Sequence, residues 1–349
     1  MKLTIILVLK NYKASKFIDL KTKLYFLTKL NPSFKYQLIV IVYDCDQVIE
    51  NLVTYHLTEN LSKKCQSFFV ITVFSEKDIN IYHSLLDKYV EGEYIEILNQ
   101  RVILNKNYFD TLGKFFLANE NKKYDIIEFS SLIKTKNFFF SFDTHHNVQF
   151  EKKSATFQQQ LLIVSSPFVS NKVFRVKFLN KYGLLCHFYN NSKKFLFIYC
   201  VLKLAEVFIV IPKTLITHEF LEAPDDFSTA SRLVKKINSL EQLIAYFIYT
   251  GELYVYYYEI EYMVIRDIIA LFLIQFSLYY QSPSKQFNQL RKEIDSLNIF
   301  INTNFPNYNK NYYVEKYLNQ NIFSGKFLEF ENFLQIFKNI YESKSGQNS

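Results

Sequence analysis

The sequence predicts an α/β fold, in which a mainly parallel sheet with helices on both faces is followed by a helical C-terminal region. Over roughly the first 130 residues, apolar runs of strand length alternate with segments whose apolar residues recur at helical spacing. After Glu219 the strand pattern disappears and helical periodicity takes over. Alternation of this kind is typical of parallel strands joined by helical crossovers, which cover the sheet on both sides.

The predicted elements follow one another from the N-terminus. Strands are expected at Leu3 to Leu9, Tyr36 to Tyr43, Phe68 to Phe74, Tyr94 to Leu98, Asp125 to Phe129 and Phe138 to Phe142. Helices are expected at Ser15 to Leu30, after the capping residue Asp46, at Asp78 to Tyr89 and at Asn105 to Asn119. The stretch from Glu91 to Arg101 is central, because it delivers a buried strand to a short polar turn.

Polar residues follow the first, second and fourth predicted strands. They are Lys10 and Asn11, then Asp44 to Asp46, then Asn99 to Arg101. The carboxyl ends of parallel strands meet at one edge of a sheet, which is where ligands bind in open α/β folds. These residues therefore predict a nucleotide pocket.

The net charge and the cysteine content exclude few classes of protein. The net charge of +8 and the pI near 8.9 suit an anionic partner, but the 41 Lys and Arg residues are scattered along the chain. A nucleic-acid-binding protein is therefore ranked last among the functions considered. Four cysteines without metal-type spacing indicate a reducing compartment.

The apolar segments favour a cytoplasmic protein, with peripheral attachment at the inner face of a membrane left open. The N-terminal run is short and has no small-residue cleavage site, so it is interpreted as a strand and not as a signal peptide. The longest apolar region, Ile268 to Tyr280, is shorter than the roughly 20 residues that a membrane span needs. It is expected to be a core helix and not a transmembrane helix.

The N-terminal half carries residues that resemble family 2 glycosyltransferases. Thr4 to Asn11 is similar to the first strand of that family, which ends in asparagine. Ile41 to Asp46 resembles its second strand, with Asp44 at the position of the second aspartate. Glu91 to Ile95 resembles the Lys-Gly-Glu-Tyr-Ile segment that leads into the Asp-x-Asp motif of the family.

The resemblance continues to about residue 220. The segment from Asn171 to Arg175 is similar to the Asn-Lys-Leu-Phe-Arg segment of bacterial members. Leu202 to Pro212 resembles a strand running into Ile-Pro, and His218 takes the last position of a Tyr-Tyr-His turn. The resemblance implies a GT-A-like fold and transfer of a sugar from a nucleotide sugar of the UDP type to a cell-surface glycolipid or polysaccharide.

The residues that carry the chemistry of the family are replaced. Asn99, Gln100 and Arg101 stand where two aspartates would hold Mg²⁺ or Mn²⁺, and Lys193 and Lys194 stand where a Glu-Asp pair would supply the catalytic base. No family catalytic residue is intact and no metal cofactor is expected. We expect Arg101 on the diphosphate and Asn11 and Asp44 on the nucleoside. Asp46 and Asn99 are further donor-binding candidates.

A replacement base would have to come from elsewhere in the chain. The candidates are His145, His146, His187 and Asp143. With none of them compelling, a second hypothesis stays open: a catalytically silent relative that binds or scaffolds an active glycosyltransferase.

Three regions are expected. Residues 1–222 form the GT-A-like domain, residues 223–342 a helical C-terminal domain or cap, and residues 343–349 a disordered tail. A tyrosine stripe at positions 254, 256, 257, 258 and 262 suits either an interface or the core. Through the helical region, the resemblance implies contact with a paralogous glycosyltransferase or a membrane surface.

Overall fold

A computed structural model shows a mixed α/β protein with one large sheet. It describes residues 1–10, 34–43, 47–61, 65–73, 88–135, 139–141, 149–151, 157–184, 194–220, 230–279 and 296–318. The predicted helix Ser15 to Leu30, most of the predicted helix Asp78 to Tyr89 and the tail after residue 318 lie outside these ranges.

Among the described residues, ten strands form the sheet: β1 (Leu3–Lys10), β2 (Tyr36–Tyr43), β3 (Ser67–Val73), β4 (Tyr94–Asn99), β5 (Val102–Leu104), β6 (Ile126–Thr135), β7 (Phe139–Ser141), β8 (Gln149–Glu151), β9 (Lys172–Arg175) and β10 (Val207–Phe220). Their order is β3-β2-β1-β4-β9-β6-β10-β5, with β7 beside β6 and β8 beside β10. Four long ladders are parallel: β2 with β3, β1 with β2, β1 with β4, and β6 with β10. The strands β5, β7, β8 and β9 instead pair antiparallel, and each of these ladders covers three residues. The prediction of a mainly parallel sheet is therefore confirmed.

The helices cover both faces of this sheet, as predicted. They are α1 (Gln47–Leu61), α2 (Tyr108–Ala118), α3 (Phe157–Val164), α4 (Val176–Lys181), α5 (Lys194–Leu204), α6 (Ala230–Tyr249), α7 (Glu252–Val255) and α8 (Tyr257–Tyr279). Residues 296–304 are also helical, and short 3-10 and π turns follow at Tyr308–Lys310 and Val314–Leu318.

Two buried apolar layers hold these elements together. One layer packs α2, through Phe109 and Leu112, against alternate residues of β1 and β2. The other layer packs α5, α6 and α8 against the opposite face, with Met263 and Phe247 among its buried members. The C-terminal helices thus share a core with the sheet, while the domain boundary near residue 222 stays a prediction.

Three predictions about strands were wrong in detail. Val102–Leu104 is a short strand, although the sequence suggested only a turn before the helix, which begins at Tyr108 and not at Asn105. Leu202 to Leu204 end α5, so the strand resembling the Ile-Pro segment begins only at Val207. That strand continues through His218 to Phe220 where a turn was expected, because β5 and β6 pair with it on both sides.

The tyrosine stripe does not exist as one surface. Tyr254 and Tyr258 are 80% and 61% exposed, whereas Tyr262 is 4% exposed and packs in the core. Ile268 and Ile269 are also buried, as expected for a core helix, but that helix begins earlier than the apolar run suggested, at Tyr257. Within the described ranges, no helix has both the length and the apolar character required to cross a membrane.

Candidate functional site

The carboxyl ends of β1, β2 and β4 lie side by side. β1 pairs in parallel with β2, so that Lys10 is opposite Tyr43, and with β4, so that Val8 is opposite Asn99. This is the edge at which the sequence predicted a pocket. Of the predicted donor-binding residues, Asn99 and Arg101 lie on this edge, whereas Asn11, Asp44 and Asp46 are outside the described residues.

The turn from Asn99 to Arg101 is held by hydrogen bonds at both ends. Asn99 Oδ1 accepts the backbone N–H of Arg101 at 2.8 Å, a local turn that asparagine readily forms. The carbonyl of Arg101 accepts the backbone N–H of Glu219 at 2.7 Å. The Arg101 guanidinium lies 5.1 Å from the centre of the Phe220 ring. A cation is thereby fixed at the edge where the sheet would bind a ligand.

This turn does not fit the divalent metal that the family resemblance implies. Mg²⁺ and Mn²⁺ prefer carboxylate oxygens, and residues 99–101 supply two amides and a guanidinium instead. Asn99 Oδ1 is already engaged by Arg101, whose positive charge would repel a divalent ion. In the part of the chain that the structure describes, no three His, Cys, Asp or Glu side chains are grouped to hold a metal ion.

Most of the residues considered for the catalytic base lie outside the described residues. Lys194 begins α5, and Lys193 lies outside the described residues. The replacement candidates His145, His146, His187 and Asp143 also lie outside them.

His218 is the histidine nearest to the Arg101 turn along β10. It is 2% exposed and its ring packs on Phe168 at 4.6 Å between ring centres. Burial, together with the smaller effect of the positive charge of Lys172, lowers the pKa of His218 to about 3. This imidazole is therefore neutral at neutral pH, and its Nε2 has no hydrogen-bond partner among the described residues.

A buried ion pair lies behind this histidine, between β6 and β9. Glu128 and Lys172 are both fully buried, with Lys172 Nζ 3.3 Å from Glu128 Oε2. Glu128 also accepts the Ser165 hydroxyl at 2.7 Å and the Ser166 backbone N–H at 2.8 Å. Both oxygens of the Glu128 carboxylate therefore have a donor. Nearby, Asn171 donates from Nδ2 to the carbonyl of Phe129 at 2.9 Å.

Lys172 ties the segment after α3 to the sheet. Its Nζ donates to the carbonyls of Ser166 and Phe168 at 2.6 and 2.8 Å. Burial lowers the pKa of Lys172 to about 8, an effect that the charge of Glu128 opposes. Sequence reasoning singled out Lys172 only as part of the segment from Asn171 to Arg175. It did not identify Glu128, because a single acid inside an apolar strand gives no periodic signal of its own.

Glu96 is a second buried acid, in the middle of β4. The hydroxyl of Tyr108 donates to its Oε2, while its Oε1 has no hydrogen-bond partner in the described structure. Burial raises the pKa of Glu96 well above its usual value. The folded protein therefore keeps this carboxyl protonated to a higher pH than the unfolded chain does.

This protonation predicts a stability that falls as the pH rises. The unfolded chain loses the Glu96 proton near pH 4.5, and the folded protein keeps it to higher pH, so unfolding is favoured increasingly above that value. Glu96→Gln should flatten the decline in urea midpoint as the pH rises above about 4.5. Equal pH slopes in the variant and the parent protein would contradict a raised pKa at Glu96.

The mixed α/β fold with a helical C-terminal region, which the sequence predicted, is shared with a solved structure. The chain is similar to residues 1–349 of S. aureus TarS in complex with UDP-GlcNAc, with 16% identity, a TM-score of 0.51, and coverage of 87% of this chain and 82% of that one. The same TarS fragment without ligand gives 15% identity, a TM-score of 0.45, and coverage of 85% and 91%. No family model and no curated protein matches the chain significantly. At this identity, the similarity establishes the fold alone.

Proposed function

We propose that this chain is a glycosyltransferase-like protein that binds a UDP-type nucleotide sugar at the carboxyl edge of β1, β2 and β4. The observation that carries the proposal is Arg101, whose backbone is bonded on both sides at that edge. The shared fold adds support, because the similar TarS fragment was crystallised with UDP-GlcNAc.

Arg101 would take over the role of a metal on the diphosphate. A guanidinium can form two parallel hydrogen bonds to phosphate oxygens and carries a permanent charge. Asn11 and Asp44 would contact the nucleoside. The acceptor proposed from the family resemblance is a cell-surface glycolipid or polysaccharide.

Removing the Arg101 side chain should weaken UDP binding by about 10- to 100-fold, because hydrogen bonds to charged groups contribute about 1.5–3 kcal/mol. Isothermal titration of Arg101→Ala and Arg101→Lys with UDP and UDP-GlcNAc measures this loss. Lysine keeps the charge without the paired geometry, so its affinity should lie between those of the parent and the alanine variant.

Lys181→Ala is the matched control for charge. Lys181 is exposed and paired with Glu206 at 3.5 Å, in α4, which follows β9 at the opposite edge of the sheet. Its removal should leave UDP affinity unchanged. The titrations are run in EDTA and then with Mn²⁺ or Mg²⁺. Parent protein that fails to bind under either condition, or Arg101→Ala that binds like the parent, contradicts the donor site.

A catalytically silent relative is the second candidate function. It is favoured by the amide and guanidinium groups at residues 99–101, where the family carries acids. A turnover assay separates the two: release of UDP from a UDP-sugar supports an enzyme, and saturable binding without release supports the silent relative. The partner of the latter would be an active glycosyltransferase or a membrane surface contacted through the helical region.

A further inference from the structure

We propose that Asn105 is a positioning residue, which holds the Asn99–Arg101 turn against β10 and so sets the place of the Arg101 cation. This inference rests on the proposed donor site for its functional meaning. Its structural part concerns only Asn105, β5 and β10.

The inference begins with an irregularity in β10. The pairing of β10 with β6 shifts register between Ile211 and Thr214, and again between Thr214 and Ile216. Pro212 lies in this irregular stretch and has no backbone N–H to offer to the ladder. Interrupted pairing leaves backbone carbonyls that need other donors.

Asn105 supplies two of those donors. Its side-chain Nδ2 donates to the carbonyl of Thr214 at 2.9 Å, and its backbone N–H donates to the carbonyl of Leu215 at 2.8 Å. Thr217 completes the contact by donating its hydroxyl to Asn105 Oδ1 at 3.2 Å. The Asn105 carbonyl accepts the backbone N–H of Tyr108 at 2.9 Å, at the first residue of α2.

All four polar groups of Asn105 are therefore in use. The residue joins β10 to the start of α2, and no other side chain of this length offers both an amide donor and a carbonyl acceptor. Aspartate would place a negative oxygen against the Thr214 carbonyl, and alanine would leave that carbonyl without its donor.

The link from Asn105 to Arg101 is one short strand. β5 has three residues and pairs antiparallel with β10, from Leu104 opposite Ile216 to Val102 opposite His218. Asn105 anchors one end of this ladder. The bond from the Glu219 N–H to the Arg101 carbonyl closes the other end. Because so short a ladder depends on its ends, releasing Asn105 should loosen the Arg101 turn.

The test compares Asn105→Ala and Asn105→Asp with a control at the other end of the same helix. Asn119 is also an asparagine with both side-chain groups engaged: Nδ2 donates to the Phe115 carbonyl at 2.9 Å, and Oδ1 accepts the Tyr124 hydroxyl at 3.0 Å. Asn119→Ala removes the same chemistry from α2 without touching β5 or β10. A purely structural role would make the two alanine variants behave alike.

Two measurements are made on the full chain, well below the thermal midpoints. Amide hydrogen exchange over residues 99–105 and 214–220 should speed up by about tenfold in Asn105→Ala and stay unchanged in Asn119→Ala. The dissociation constant for UDP should rise by about tenfold in the first variant only. Asn105→Asp should show at least as large a change in both measurements.

The outcomes separate this inference from the proposed function. Unchanged exchange over residues 99–105 in Asn105→Ala overturns the inference, whether or not UDP binds. Faster exchange with unaltered UDP affinity also overturns it, because the turn would then move without moving the site. Faster exchange in a chain whose parent form binds no UDP supports the Asn105 contact and contradicts the proposed function instead.

Discussion

Lys172→Met is expected to lower the free energy of unfolding by about 3–5 kcal/mol, because it leaves the Glu128 carboxylate buried without its cation. The loss also frees the carbonyls of Ser166 and Phe168, which Lys172 binds. Urea denaturation followed by circular dichroism measures the change.

The double variant Glu128→Gln with Lys172→Met isolates the charge. A neutral amide can still accept the Ser166 N–H and contact Ser165, so the double variant should regain a large part of the stability lost by Lys172→Met alone. A single variant as stable as the parent protein would show that the buried ion pair does not hold this segment. Lys181→Ala, which breaks an exposed pair, should have no measurable effect.

Gly92→Ala is expected to lower the free energy of unfolding by about 1–3 kcal/mol or more, because there is no room for a methyl group. A Cβ on Gly92 would lie 2.5 Å from the backbone nitrogen of Thr4 and 2.7 Å from the carbonyl oxygen of Tyr94. Both atoms belong to the backbone of the paired strands β1 and β4, which cannot move aside without opening their ladder.

Gly183→Ala provides the comparison. Gly183 has a φ of 62° but nothing within 4 Å of its would-be Cβ, so alanine there meets conformational strain of about 1–2 kcal/mol and no contact. Thermal and urea unfolding of both variants would show which cost is larger. A Gly92→Ala variant no less stable than the parent would contradict the close approach of β1 and β4 at this point.

Much of the fold was predictable from local pattern. The strand from Tyr36 to Tyr43 was placed at its observed bounds, and helices on both faces followed from the alternation of strand and helical periods. These features depend on apolar spacing over a few residues, which the sequence displays directly. The short strand Val102–Leu104 escaped notice, because three residues are too few to show a period.

The candidate site was predictable only as a location. Asn99 and Arg101 were expected at the carboxyl edge, since register in a parallel sheet aligns strand ends. The hydrogen bond that fixes the Arg101 carbonyl was not predictable, because its partner Glu219 is more than a hundred residues away along the chain. The same holds for Asn105, which looked like the first residue of a helix and instead completes the irregular part of β10.

The sequence by itself determined the class of fold and placed Asn99, Gln100 and Arg101 directly after a buried strand. Only the tertiary structure decided that His218 is buried and neutral, that Lys172 pairs with Glu128, and that Gly92 is required for space. Periodicity reports which face of an element is apolar. Burial, pKa and close approach depend instead on which distant segments meet, and three-dimensional packing alone specifies that.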